Sequence, residues 1–181
     1  MKKGTPNMDL IIREARAVVD GPIAVIRFGT CGTPNTNVKV GTVIVTDYSI
    51  SCTRQPDYFN HKVGEPYKLS LPVKADPELT GMVSKFHFTP FFFGCINLFF
   101  RKLLKQMKES AGSDRVVVGP DVTCCSFFSS QGRQDPFFND ENQNLFEDKV
   151  KKAHPNLLSI QMETFHLFEK LYFFLFLIFG T

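Results

Sequence analysis

Gln131 and Arg133 stand two residues apart in "SFFSSQGRQDPFF", 126–138, with only Gly132 between them. A polar pair inside an aromatic stretch costs free energy unless its hydrogen bonds are met. Either water meets them on a surface loop, or a ligand does. Gln131 offers one acceptor oxygen and two donor hydrogens, whereas Arg133 only donates. The edge of a pyrimidine base, with one N–H and two carbonyls, asks for that mixture. Phe127, earlier in the same stretch, could stack on a flat ring.

Two further groups carry chemistry. In "IRFGTCG", 26–32, Arg27 follows an apolar run, and Gly29, Thr30 and Gly32 come after it. The forked donor of an arginine matches phosphate. Thr30 adds a hydroxyl, and the glycines let backbone N–H groups approach an anion. The plainer alternative pairs Arg27 with a carboxylate and gives the glycines to a turn. In "IQMET", 160–164, Glu163 can accept two hydrogen bonds from the vicinal hydroxyls of a sugar, beside the adaptable Met162. Alternatively Glu163 begins a helix, where the positive end of the helix dipole favours it.

The elements that must hold these groups follow from patterning. Residues 7–19 read as a helix capped by Asn7, with apolar residues at helical spacing and "DG" at its end. Apolar runs rich in branched residues predict strands at 22–29, 41–47, 115–122 and 157–163. Residues 30–37 form a loop, and 52–72 a long excursion rich in Pro, Gly, Asp and Asn. Asp76 and Pro77 open a helix in "ADPELTGMVSKF". A helix over 138–156 stops at Pro155, and a last one starts near Glu163. Helices alternating with strands predict an α/β fold with a largely buried sheet, whose ligands gather at the carboxyl ends of strands.

Composition narrows the function. With 181 residues, 43% hydrophobic and 22% charged, the chain suits one globular domain. The net charge is only +3, and no dense Lys/Arg run marks a nucleic-acid surface. "RKLLKQMK", 101–108, reads as the solvated face of a helix. Five cysteines, two of them adjacent and none in a Cys-x-x-Cys pair, make neither a disulfide framework nor a zinc site. No metal is expected. The N-terminus has no apolar core like that of a signal peptide, so a reducing, cytoplasmic setting is expected. "LYFFLFLIFG", 171–180, runs ten residues without a charge. A spanning helix needs about twenty. A buried helix is the expectation, not a membrane anchor.

Taken together and in order, "REARAVVDGPIAVIRFGTCG", "SFFSSQGRQDP" and "IQMETFH" resemble the nucleoside phosphorylases of the uridine phosphorylase type. The resemblance covers most of 7–85 and 114–168. It implies a single phosphorylase-like domain over 1–181. That domain would be a three-layer fold with a central mixed β-sheet, partly barrel-like, flanked by helices and incomplete at both ends. It implies a pentosyl transfer in which phosphate attacks uridine to give uracil and ribose 1-phosphate, within pyrimidine nucleoside salvage. Inorganic phosphate is then a co-substrate, and no cofactor is needed. Arg27, Gly29 and Thr30 would serve phosphate. Phe127, Gln131 and Arg133 would serve the base, and Gln161, Met162 and Glu163 the ribose. Homo-oligomers, dimers or hexamers, are implied.

This sequence also departs from the pattern. Gln161 stands where the family has a second glutamate, and Thr33 where it has a second glycine. Cys124 and Cys125 replace small or polar residues. The Phe-rich stretches at 86–100 and 169–181 look foreign to the fold. Three other readings stay open. One is a purine-preferring phosphorylase. Another is a non-catalytic or partial paralogue that binds or oligomerises. The third is a protein anchored in a membrane through 167–179.

Overall fold

The computed structural model describes residues 4–21, 23, 25–77, 80, 106, 109, 115–170 and 174–180. Helix α1 (Thr5–Val18) is followed by β1 (Val25–Cys31), β2 (Val43–Arg54), α2 (Pro56–His61), β3 (Tyr67–Leu69) and β4 (Val73–Lys74). After these come β5 (Val116–Cys124), one 3-10 turn (Ser129–Gln131) and one π-helical turn (Leu145–Val150) that runs into α3 (Lys151–Ala153). The described chain ends with β6 (Ser159–Gln161), α4 (Thr164–Lys170) and β7 (Phe174–Gly180).

All seven described strands join one mixed sheet in the order β1-β7-β2-β5-β6, with β3 and β4 pairing off β2. β2 and β5 are parallel, as are β5 and β6, and β1 and β7. β7 meets β2 antiparallel, as do β3 and β4. The sheet is not closed. A single antiparallel bridge, Gly32 with Ile160, ties the β1 end of the path to the β6 end through two backbone hydrogen bonds of 3.0 and 2.8 Å. That contact is the barrel-like element of the fold.

Two apolar clusters sandwich the sheet. Ile12 of α1 and Leu167 and Phe168 of α4 pack with Cys31 and Ile44, against which Val117 of β5 lies. Tyr67, Leu145, Val150 and Leu157 pack with Ile50, Cys52, Val122 and Cys124. Val117 and Val122 sit five residues apart on β5, so they face opposite sides of the pleat. The mixed sheet flanked by helices agrees with the sequence reading.

Several boundaries move. β2 runs from Val43 to Arg54, past the predicted end at 47, and takes in the start of the supposed excursion. A register shift between Thr46 and Ser49 accommodates its extra residue. β1 continues through Thr30 to Cys31, so Arg27 lies inside the strand and not at its end. β6 keeps only three residues of the predicted 157–163. Helical structure over 138–156 begins only at Leu145. The polar residues before it bond locally, with the Asn142 amide donating to the Ser129 and Arg133 carbonyls.

Helix α1 starts at Thr5 with Gly4 as its cap residue, and no side chain caps it. Pro6 suits the first turn, where no N–H is needed. The run "LYFFLFLIFG", expected as a buried helix foreign to the sheet, is instead strand β7 over 174–180. Its backbone supplies partners to β1 on one side and to β2 on the other. An aromatic and branched run without a helical period fits a strand, and two otherwise unpaired strand edges hold it there. Pro77 and Thr80 begin the predicted helix, the Thr80 N–H bonding to the Asp76 carbonyl at 2.9 Å. The rest of that helix, 86–100 and nearly all of "RKLLKQMK" lie outside the described residues.

Candidate functional site

β5 and β6 run parallel, in register from Asp121 with Ser159 to Thr123 with Gln161. Their carboxyl ends therefore release two loops at one edge of the sheet. The loop after β5 carries Phe127, Gln131 and Arg133. The loop after β6 carries Met162 and Glu163. The bridge from Gly32 to Ile160 sets β1 antiparallel to β6, which brings Arg27 to the same edge.

Arg27 and Glu163, 136 residues apart in sequence, meet at 2.7 Å. Glu163 is buried, and its second carboxylate oxygen accepts the Gly4 N–H at 3.0 Å. The carboxylate thus lies at the N-terminus of α1, where the exposed amides favour a negative charge. Burial pulls the Arg27 guanidinium down from its ordinary value, while Glu163 and Asp121 push it back up. A guanidinium stays charged under such opposing influences. Gly29 has a steric role: a Cβ there would come within 3.1 Å of the Arg27 guanidinium nitrogens. Met162 packs against Gly4, its methyl 4.0 Å from where a Cβ would stand. Thr30 is exposed and three positions along the strand from Arg27. Alternation turns the two side chains to opposite faces, so they do not come together.

Gln161 is buried and spends its whole amide inside the protein. Its Nε2 donates to Asp121 Oδ2 and Thr123 Oγ1, both at 2.6 Å. Its Oε1 accepts the N–H groups of Glu163 at 2.6 Å and Thr164 at 3.0 Å, which caps α4. Two donors and two acceptor positions are thereby used.

The loop after β5 is held from both sides. Cys124 Sγ donates to the Ser130 carbonyl at 3.1 Å, and Cys125 Sγ contacts Ser130 Oγ at 2.9 Å. Gly132 turns the chain with a left-handed backbone, φ 70 and ψ 16. The Arg133 guanidinium lies over the Phe127 ring, 4.1 Å from its centre. No carboxylate pairs with Arg133, and nothing bonds to the Gln131 side chain, among the described residues. Two of the three base candidates are therefore in contact with each other, and two hydrogen-bonding heads stand open on one loop.

Sequence reasoning passed over Asp121. It is fully buried and accepts hydrogen bonds from Ser49 at 2.7 Å, Ser159 at 2.9 Å, Thr123 at 3.1 Å and Gln161. Burial pushes its carboxyl up to about 6, against the pull of these donors. The only signal was a lone carboxylate inside "VVVGPDV", a strand patterned for burial on both faces.

The Cys31 thiol is pushed up to about 12, chiefly by burial, so it stays protonated and unreactive. Cys52, Cys124 and Cys125 are free thiols. A cleft of about 400 Å3 opens beside Tyr67, Asn144, Leu145 and Lys149. None of the candidate residues lines it. Among the described residues, no helix is long and apolar enough to cross a membrane.

The model of the phosphorylase superfamily matches residues 2–169. A solved structure from work on two diverse uridine phosphorylases of the oomycete Phytophthora capsici is similar to 98% of this chain, with a TM-score of 0.77 and 36% identity. The chain spans 61% of that structure's length. No curated protein sequence matches it.

Proposed function

Because the chain belongs to the phosphorylase superfamily, we propose that it splits a nucleoside with inorganic phosphate, and that the nucleoside is uridine. The products are uracil, returned to pyrimidine salvage in the cytoplasm, and ribose 1-phosphate. The observation that carries this reading is the 2.7 Å contact between Arg27 and Glu163. It supports the reading because the arginine suited to phosphate and the carboxylate suited to sugar hydroxyls, remote in sequence, share one buried corner. A phosphate on Arg27 would then lie beside a ribose held by Glu163 and Met162. That proximity lowers the entropic cost of attack on the anomeric carbon.

The transition state has oxocarbenium character, with positive charge on the sugar and negative charge growing on the base. Arg133 and Gln131 answer the second by donating to the base oxygens in a loop already shaped for it. The uracil edge, with two carbonyls and one N–H, favours this pair over a purine edge. Phe127 keeps the guanidinium in place through its ring face. No metal enters the scheme, and phosphate is a co-substrate. A second copy of the chain belongs to the proposal, and the exposed Phe127, Phe128, Phe137 and Phe138 support it.

The test follows uridine conversion by the folded chain with and without phosphate, and compares inosine. Phosphate-dependent uracil release is expected, with inosine the poorer substrate. Release without phosphate would mean a hydrolase. No turnover from a folded, ligand-free chain would favour the non-catalytic paralogue.

A further inference from the structure

Three strands line up around one carboxylate. Ser49 of β2, Asp121 of β5 and Ser159 of β6 are register partners across the sheet, and Ser51, Thr123 and Gln161 form the next row. Asp121 takes a hydroxyl from each flanking serine, a third from Thr123, and the Gln161 amide. Such a group is costly to bury unless it is fully bonded, and here it is. Nothing in the scheme above uses it.

We propose that Asp121 is a positioning residue: through the Gln161 amide it sets where Glu163 points. The reasoning is one of donors and acceptors. An ionised carboxylate only accepts, so Gln161 must turn Nε2 toward it. The amide oxygen is then forced to the other side, where it meets the N–H groups of Glu163 and Thr164. That bond fixes the backbone at the mouth of the β6 loop. From there the Glu163 carboxylate reaches Arg27 and the Gly4 N–H.

Thr123 braces the same turn, taking the Phe165 N–H at 2.8 Å while it bonds to Asp121 and Gln161. Without the carboxylate Nε2 keeps only Thr123 Oγ1 as its acceptor, and the amide is anchored on that side by one bond where there were two. The acidic group buried in β5 and the glutamine at 161 therefore act as one unit. A glutamate at 161 would set a second carboxylate against Asp121, and one of the two would have to take up a proton.

The proposal rests on the reading that Glu163 holds the ribose, so the experiment has one arm that needs no turnover. Amide hydrogen exchange at Glu163 and Thr164 reads the seat directly. Uridine and phosphate KM read its use. In Asp121→Ala, exchange at both amides should quicken by about tenfold, the loss of a buried hydrogen bond. Uridine KM should rise by about tenfold and by more than phosphate KM, since Glu163 itself is displaced whereas Arg27 only loses one partner. Asp121→Asn should stay near the parent in both, because its carbonyl can still face Gln161 and its amide can turn to Ser159 Oγ.

If Asp121→Ala does not fold, Gln161→Glu decides. It should impair exchange protection and uridine KM beside Asp121 and recover in the Asp121→Asn background. A folded Asp121→Ala with parental exchange at these amides overturns the proposal. So does an Asp121→Asn as damaged as Asp121→Ala, or a Gln161→Glu that is harmless beside Asp121. If the parent chain splits no uridine, the functional reading falls, and the exchange arm still decides whether Asp121 holds the turn.

Discussion

Arg133 lies on the face of Phe127 with no carboxylate partner among the described residues, which leaves its donors for a ligand. Replacing it with alanine should lower kcat/KM for uridine by about a hundredfold, the cost of one preorganised donor to developing charge. Arg133→Lys should recover little, since a lysine lacks both the planar fork and the stacking on the ring. Steady-state kinetics on the two variants check this, and equal activity in the arginine and lysine proteins would remove the fork from the argument. At this scale the types of Gln131, Arg133, Arg27 and Glu163 were legible, because each chemistry needs a particular head group. Pairing was less legible. The sequence offers a carboxylate partner for Arg27 and sugar hydroxyls for Glu163 as unconnected readings, and the structure joins the two residues in one contact. Asp121 was hidden altogether, since its significance lies in four partners on other strands.

β7 shows what patterning can and cannot give at the scale of elements. Four of the strands were marked by branched apolar runs, and each exists close to its predicted place. β7 was missed because a run of ten apolar residues has no period to read. Its identity comes from the two strands that need it. Leu177 stands opposite Phe28 of β1 and Val45 of β2 at once. Leu177→Pro removes a backbone donor from the middle of that triple, where proline is excluded. It should lower stability by about 2 kcal/mol or more, read by denaturant unfolding. A variant as stable as the parent would mean that β7 adds nothing to the sheet. The length of β2 escaped for a different reason. Ser49 and Ser51 interrupt the apolar run just past the predicted end at 47, yet they are buried, with Ser49 bonded to Asp121 across the ladder.

For the molecule as a whole, the carboxyl of Asp121 ties stability to pH in an unusual direction. Its value of about 6 in the fold, against an ordinary 3.8, means that the folded chain binds this proton more tightly than the unfolded one. The stability it lends is full below about pH 4 and is lost as pH rises through 6. The size is on the order of 3 kcal/mol, from two pH decades of differential binding. Asp9, Glu65 and Glu141 are shifted the other way by Arg13, Lys149 and Lys62, and lend stability that fades as the solution is acidified. Thermal unfolding of the parent and of Asp121→Asn between pH 3.5 and 7 separates the two, because only the parent's difference from the variant should shrink with rising pH. A difference that stays flat would mean that Asp121 binds its proton equally in the folded and unfolded chains. The position of β7 has a consequence in time. Val25 pairs with Phe174 across about 150 residues of chain, and β7 follows every other described element while sitting between two of the earliest. Contacts of such separation form slowly. On a ribosome adding about 5–20 residues per second, β1 waits on the order of ten seconds for its neighbour to be made. Until then an apolar strand and the Val43–Val45 edge of β2 stand open to whatever they meet, so the nascent chain is most in need of a chaperone in that interval.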